Sequence, residues 1–397
     1  MKPGYIKTEA GVVPEDWTVT NLGNVIQLQR GFDLPYRNRT AGNVPIISSS
    51  GASDTHNKAL VIAPGVVTGR YGTIGEVYYV EQDFWPLNTT LYVKDFKGNN
   101  PLFISHLLRT IDFASHSGKS GVPGVNRNDL HELDIALPSS VAEQQAIADT
   151  LGAVDALLRE QRALLAKKRD LKQATQTALL TRAWRLPGFS GEWQEKTLGE
   201  VATGFSSGAT PFRGNKHYYN GNIKWVTSGE LNYNIITDTI EHISPLAVKR
   251  TNLSILPKGT FLMAITGLEA AGTRGSCAIL GTEATTNQSC MAVFPGKELL
   301  NDYLFHYYVN YGDELAFRYC QGTKQQSYTG KIVKILPIYL PPVDEQRAIV
   351  SVLNNMAAEI ESLAAQIAKT EALKQGLMQD LLTGTIRLTG AAKPSTV

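Results

Sequence analysis

The sequence predicts an α+β protein: two mixed α/β domains joined by two long antiparallel coiled-coil helices and related by a pseudo-twofold internal repeat. Three observations predict it. The stretch LPSSVAEQQAIADTL, from Leu137 to Leu151, returns as LPPVDEQRAIVSVL, from Leu340 to Leu353. Each copy opens a proline-free run whose apolar residues recur every seven positions. Each is preceded by a less similar segment in which short strand-like runs alternate with Gly, Pro and Asn turns. The expected boundaries are 1–137 for the first domain, 138–186 for the first helix, 187–340 for the second domain, and 341–397 for the second helix and its tail.

The duplication carries the most weight, because a sustained register cannot arise from composition alone. Setting Glu143 on Glu345, an offset of 202, aligns Gln144 with Gln346, Ala146 with Ala348, Ile147 with Ile349 and Leu151 with Leu353. The register holds through Leu171-Lys172-Gln173 on Leu373-Lys374-Gln375, Leu179-Leu180-Thr181 on Leu381-Leu382-Thr383, and Arg185-Leu186 on Arg387-Leu388. The preceding segments pair more loosely. Trp17, Leu22-Gly23 and Val25 match Trp193, Leu198-Gly199 and Val201 at an offset of 176. Gly72-Thr73-Ile74-Gly75 resembles Gly272-Thr273-Arg274-Gly275 at 200, and Asn88 falls opposite Asn287 at 199.

In the first helix Leu151, Leu158, Leu165 and Leu179 form a heptad seam broken by Lys172; in the second, Leu353, Ile360, Ile367 and Leu381 form the same seam, broken by Lys374. A second line, Leu157, Leu164, Leu171 and Ala178, is expected beside the first, with Met356, Leu363 and Leu377 as its later counterpart. About 38 helical residues at ~1.5 Å each would span roughly 57 Å. Each helix follows a globular domain, and a duplicated chain closes most simply about a twofold axis, so the helices are expected to run antiparallel as a spacer between the domains. Within the domains, strands are expected at Leu60–Val67, Glu76–Val80, Thr89–Val93 and Met291–Phe294, and helices at Pro101–Ile111 and Leu299–Tyr311.

The bulk numbers fit a folded chain: 397 residues, 43% hydrophobic and 19% charged. The opening MKPGYIKTEAGVVPEDW lacks the apolar run of a secretory signal, and no stretch approaches the ~18 apolar residues of a membrane span. Cys277, Cys290 and Cys320 have no CxxC spacing, so neither a disulfide framework nor a zinc knuckle is expected, and a cytoplasmic location is. The net charge of +2 leaves any positive potential to particular loops.

Catalytic motifs fail one at a time. Gly118-Lys119-Ser120 would need a glycine at 113 for a phosphate-binding loop, where Phe113 stands. His131-Glu132 would begin a zinc-protease motif, but Ile135 occupies the second histidine's place. Gly69, Gly72 and Gly75 are spaced for a tight turn, not for dinucleotide binding. No N/D-P-P-Y/F methyltransferase tetrapeptide and no Ser/His/Asp or Cys/His arrangement occurs, so no catalytic or metal-ligating residue is expected. The chain reads as a binder.

Several loops mix cations with Asn, Gln, Tyr and Gly, the side chains that suit phosphates and base edges. Candidates in the first domain are Arg30, Tyr36, Arg37, Asn38, Arg39, Arg70, Tyr71, Lys119, Asn126 and Arg127. Those in the second are Arg213, Lys216, Tyr218, Tyr219, Thr273, Arg274, Lys324, Gln325, Gln326 and Tyr328. Such loops recur at equivalent places in both copies. Two unlike readers on one spacer would recognise two unlike half-sites at a fixed separation.

The ordered set of motifs resembles the specificity (S) subunit of type I restriction–modification systems. The resemblance rests on Val13-Pro14-Glu15-Asp16-Trp17 with Leu22-Gly23, the helix starts at Leu137 and Leu340, the paired Leu-Lys-Gln triplets, and Pro187-Gly188-Phe189-Ser190-Gly191-Glu192-Trp193. It implies two target-recognition domains that read a split, asymmetric double-stranded DNA site, and helices that set the spacer and dock two methyltransferase (M) subunits. It implies further that S-adenosylmethionine, ATP and Mg²⁺ belong to those M subunits and to separate restriction/translocase (R) subunits. This chain would bind no cofactor and be non-catalytic. The alternatives are a coiled-coil scaffold or ligand-binding protein without DNA specificity, and a chain with methyltransferase or nuclease activity of its own.

Overall fold

The computed structural model describes residues 3–9, 11–117, 124–269, 274–321 and 326–389. The chain divides into two compact units, Met1–Ala163 with Ala364–Val397, and Leu164–Leu363. Each unit thus combines one mixed domain with one half of each long helix, where the sequence boundaries set the helices apart. Burial explains this division. Leu151, Leu381 and Leu382 share the first unit's core with Leu22, Leu91 and Phe103, while Leu179, Leu180 and Leu353 share the second's with Phe261, Tyr303 and Val333.

In the first unit a four-stranded antiparallel sheet runs in the order Gln27–Arg30, Thr90–Asp95, Gly65–Gly69, Val77–Val80. A second sheet orders Gly51–His56, Val44–Ser48 and Trp85–Pro86, the last pair parallel. In the second unit Ala202–Ser207, Cys290–Pro295, Phe261–Ala264 and Cys277–Leu280 repeat the larger sheet, with Asn234–Ile236 added at its edge. Glu241–Ile243, Ile223–Val226 and Thr285–Thr286 repeat the smaller one, its last pair again parallel. The two domains therefore share a topology that their loosely similar sequences only hint at.

The expected elements appear with shifted ends. The strand placed at Leu60–Val67 begins only at Gly65, after Pro64, which has no N–H to offer a ladder. The helix placed at Pro101–Ile111 ends at Leu108; its start is capped by Asn100 Oδ1, which accepts from the Phe103 amide at 2.9 Å. Its counterpart runs longer, Asn301–Tyr319, than the expected Leu299–Tyr311.

The long helices are Val141–Leu180 and Val343–Leu382, 40 residues each. Of the seam, Leu151, Leu158, Leu179, Leu353, Ile367 and Leu381 are buried, and Leu165 and Ile360 half-buried. The second line splits: Leu363 is buried and Met356 and Leu377 half-buried, whereas Leu157, Leu164 and Leu171 are exposed. Within the first unit Asp155 pairs with Lys374 at 2.6 Å and Arg162 with Glu371 at 2.5 Å, so partner numbers fall as helix numbers rise and the two halves run antiparallel. The lysine that breaks the second seam thus finds a carboxylate.

The repeated Glu-Gln pair anchors each helix start. Gln144 Nε2 donates to Asn99 Oδ1 and Pro138 O at 2.9 and 3.0 Å, and its Oε1 accepts from the Asn100 amide at 3.0 Å. Gln346 Nε2 donates to Glu298 O and Pro341 O at 2.7 and 2.9 Å, and its Oε1 accepts from the Leu300 amide at 3.0 Å. Buried Glu143 takes Arg387, which also holds Asp16; buried Glu345 takes Arg185 and the Trp193 indole N–H. The helix ends also match. Arg182 and Gly384 adopt φ of 63° and 71°, and Trp184 N–H returns to Ala178 O as Ile386 N–H does to Asp380 O. That bond reaches back six residues across a left-handed residue, one more than in a Schellman turn, and the reversal ends each helix short of the expected run to Leu186 or Leu388.

Candidate nucleic-acid interface

In each domain, a loop leaves the first strand of the larger sheet and leads to the smaller sheet. In the first unit, Arg30 pairs with Asp33 at 3.3 Å, and Asp33 also accepts from Asn88 Nδ2. Leu34 is buried, and the chain then turns through Tyr36–Asn38. Tyr36 is 82% exposed. Arg37 and Asn38 are exposed, and among the described residues their side chains make no hydrogen bond or ion pair. Arg39 is committed elsewhere: it binds Asp54 at 2.7 Å, holding that carboxyl below its ordinary range, and lies 5.6 Å from the Tyr36 ring centre.

Arg70 stacks over Tyr71 at 4.6 Å, and Val125 N–H closes the site by donating to Arg70 O at 3.0 Å. The Tyr71 ring lies so near Gly124 that a Cβ there would come within 2.1 Å of it, so this glycine permits the stack. Asn126 is an N-cap, accepting from the Asn128 amide at 3.1 Å, which leaves Arg127 as the exposed cation of that turn. Lys119 lies outside the described residues, as do Thr273, Lys324 and Gln325.

In the second unit Arg213 forms two hydrogen bonds to Glu241, one at 2.9 Å, and packs over Tyr219 and Trp225 at 4.6 and 5.1 Å. That bond raises the Arg213 pKa and lowers that of Glu241. Tyr219 Oη donates to Pro211 O at 2.6 Å, and Tyr218 packs with Trp225 and Ile243; both tyrosines brace the loop. Lys216 is exposed at the start of the turn Lys216–Tyr219, which Asn215 caps. Arg274 Nε stands 3.1 Å from Asp313 and its guanidinium lies over Phe317. Gln326 is half-buried, its carbonyl accepting from the Leu268 amide at 3.2 Å.

Tyr328 is the clear departure from expectation: at 3% exposure its ring belongs to the core, where burial raises its hydroxyl pKa, and it has no surface to offer a partner. Its neighbours in the sequence are polar, and nothing in the sequence marks it as an inward anchor. The opposite omission is Phe212, 73% exposed beside Arg213. Its signal was readable: Pro35-Tyr36-Arg37 and Pro211-Phe212-Arg213 align at the same offset of 176 as Trp17 and Trp193.

Two similar domains thus present braced loops that mix exposed cations with exposed rings. The family model for the type I restriction modification DNA specificity domain matches residues 14–167 and 190–372, one copy over each half. The chain belongs to this family. It is 30% identical over 175 residues to the type I restriction enzyme MjaIX specificity subunit of Methanocaldococcus jannaschii, covering 43% of this chain and 38% of that one. It is 25% identical over 187 residues to the EcoR124I/EcoR124II specificity subunit of Escherichia coli, covering 47% and 46%. The matched stretches thus span less than half the length of these curated relatives. The fold resembles the S subunit of a type I restriction-modification system from M. genitalium, with a TM-score of 0.63 at 16% identity over 96% of this chain and 99% of that one. A chain from a study of type I R-M complex assembly and conformational transition gives 0.57 at 20% identity, over 94% and 99%.

Proposed function

We propose that this specificity-family chain is the DNA-reading subunit of a type I restriction–modification complex, with each domain recognising one half of a split, asymmetric double-stranded site. The observation that carries this reading is the repetition, in two family domains of one topology, of the same braced loop with unlike side chains: Tyr36-Arg37-Asn38 in one and Phe212-Arg213 with Lys216 in the other. Equal scaffolds with unequal loops suit two unequal half-sites. Arg37, Arg127 and Lys216 are the exposed cations for phosphate or base contacts, whereas Arg39 and Arg213, held by Asp54 and Glu241, shape their loops.

On this reading the chain itself is non-catalytic. Two methyltransferase subunits dock with it, and restriction/translocase subunits join the complex. Adenine N6 is methylated with S-adenosylmethionine, and ATP and Mg²⁺ serve the restriction subunits. A cytoplasmic location accords with this, and among the described residues no helix is long and apolar enough to cross a membrane. The long helices set the unspecified spacer between half-sites. Replacing Arg37 or Lys216 by Ala should each relax one half-site, at about 1–3 kcal/mol if the side chain reads a base. Equal weakening at both halves by either change would contradict the two-reader model.

A further inference from the structure

We propose that Tyr36 and Phe212 are stacking wedges, each ring inserting between neighbouring base pairs of one half of the DNA target. The inference rests on the proposed function and adds a contact that hydrogen-bond chemistry does not supply.

Isolated exposed apolar residues are ordinary. A matched pair is not. Each ring directly follows a proline in the loop between the same two sheets, five residues after Gly31 in one copy and four after Gly208 in the other, and the rings are 82% and 73% exposed. Phe317, comparably exposed, lies in the part of its helix that the shorter Pro101–Leu108 lacks.

The loops are built to hold these rings still. Gly31 and Gly208 press on the smaller sheet so closely that a Cβ would come within 2.1 Å of Leu87 O and 1.8 Å of Thr286 O. Phe32 N–H donates to Pro86 O at 2.8 Å, and Ala209 N–H to Thr286 O at 3.1 Å. Asn88 bonds Asp33 in one unit and Gln288 bonds Thr210 in the other, so the segment after the parallel strand ties down each loop just before its ring. A ring on a fixed mount can enter a base step without first losing conformational entropy.

Chemistry selects stacking. Phe212 has no hydrogen-bonding atom in its side chain, so it can read DNA only through its faces and edges. Arg39 and Arg213 are committed to Asp54 and Glu241, and the exposed Arg37 and Lys216 suit phosphates or base edges, so the ring is the exposed group of each loop whose faces only stacking would use. Apolar side chains that part a base step kink or unstack the duplex, and so read its deformability as well as its sequence.

The test uses the full chain with its methyltransferase subunits and a duplex carrying the target mapped from methylated adenines, with 2-aminopurine scanned through both half-sites. Binding by the wild type should raise fluorescence at one step in each half, where a ring parts the bases. Tyr36→Ala should abolish that rise in one half and Phe212→Ala in the other, each weakening binding by about tenfold. Tyr36→Phe and Phe212→Tyr should keep both signals. Alanine variants that retain wild-type fluorescence and affinity would overturn the wedge while leaving the DNA-reading function standing, as would one variant silencing both halves. A wild-type complex with no sequence-specific binding would overturn that function, and the wedge with it.

Discussion

Arg387 donates to the buried carboxylate of Glu143, 244 positions earlier in the chain, at 2.6 Å through Nε and 2.9 Å through Nη2. The same guanidinium reaches Asp16 at 2.7 and 2.8 Å, and these bonds raise its pKa and lower that of Asp16. One side chain thus ties the segment that follows the second helix to the start of the first helix and to the turn just before Trp17. Arg185 on Glu345 is the same clasp in the second unit.

Replacing Arg387 by Ala should strand Glu143 as an unpaired buried charge. The expected cost is roughly 2–3 kcal/mol, below the ~3–5 of a fully buried pair because the guanidinium is partly in solvent. Denaturant unfolding measures it. Replacing Arg387 and Glu143 together by Met should cost less than Arg387→Ala alone, because no charge is left behind. A double variant as unstable as the single one would remove the clasp from the account.

Two buried histidines predict acid sensitivity. Burial, with Arg109 nearby, holds His106 down to about 4 from the ordinary 6.5, and burial also lowers His306. Between those values the unfolded chain binds a proton that the folded chain refuses, so stability should fall as pH drops from about 6.5 toward 4. The slope is up to ~1.4 kcal/mol per pH unit for each such histidine. His106→Gln should flatten that slope; an unchanged slope would show that other groups govern the acid limb.

The same histidines are satisfied at opposite ring nitrogens, His106 at Nδ1 and His306 at Nε2, and the other nitrogen of each is buried without a partner among the described residues. His306 Nε2 bonds Asn354 Oδ1 at 2.9 Å, whereas His106 Nε2 is buried without a partner among the described residues. Asn354 corresponds to Gly152 at the offset of 202. Arg109, a donor, faces His106 Nδ1 at 3.1 Å, so Nε2 carries the proton and wants an acceptor. Gly152→Asn should supply it and raise stability by about 1 kcal/mol, with the Leu102 methyl, 3.2 Å from the new Cβ, giving way. Gly152→Ala is the control. Alanine is the better helix former by up to ~0.7 kcal/mol, so an Asn variant at least as stable as the Ala variant marks the hydrogen bond. An Asn variant clearly below it would deny the bond.

How much of this was legible depends on whether a feature is periodic or long-range. The long helices and their seams follow from heptad spacing, and their starts lie within two residues of the first repeated Glu. The meaning of Glu143-Gln144 was hidden, because its partners, Asn99, Asn100 and Arg387, come from distant strings of sequence. Leu157, Leu164 and Leu171 show the converse: their spacing matches a seam, yet the structure leaves them exposed. The recognition loops were found by composition, which cannot separate Arg37, free of hydrogen bonds and ion pairs among the described residues, from Arg39, whose carboxylate lies on another strand. Tyr328 went astray for the same reason, since polar neighbours can surround a tyrosine that turns inward, whereas Phe212 was legible through its match to Tyr36 and not through composition.

The central claim is that the two halves of this chain read the two halves of one DNA target. Mapping methylated adenines across the genome, with and without this chain, tests it most directly. The account predicts a motif of two unlike specified parts separated by an unspecified spacer, methylated only when the chain is present, and altered in one part only by Arg37→Ala. A methylation map that does not change when the chain is removed, or a single continuous motif, would contradict it.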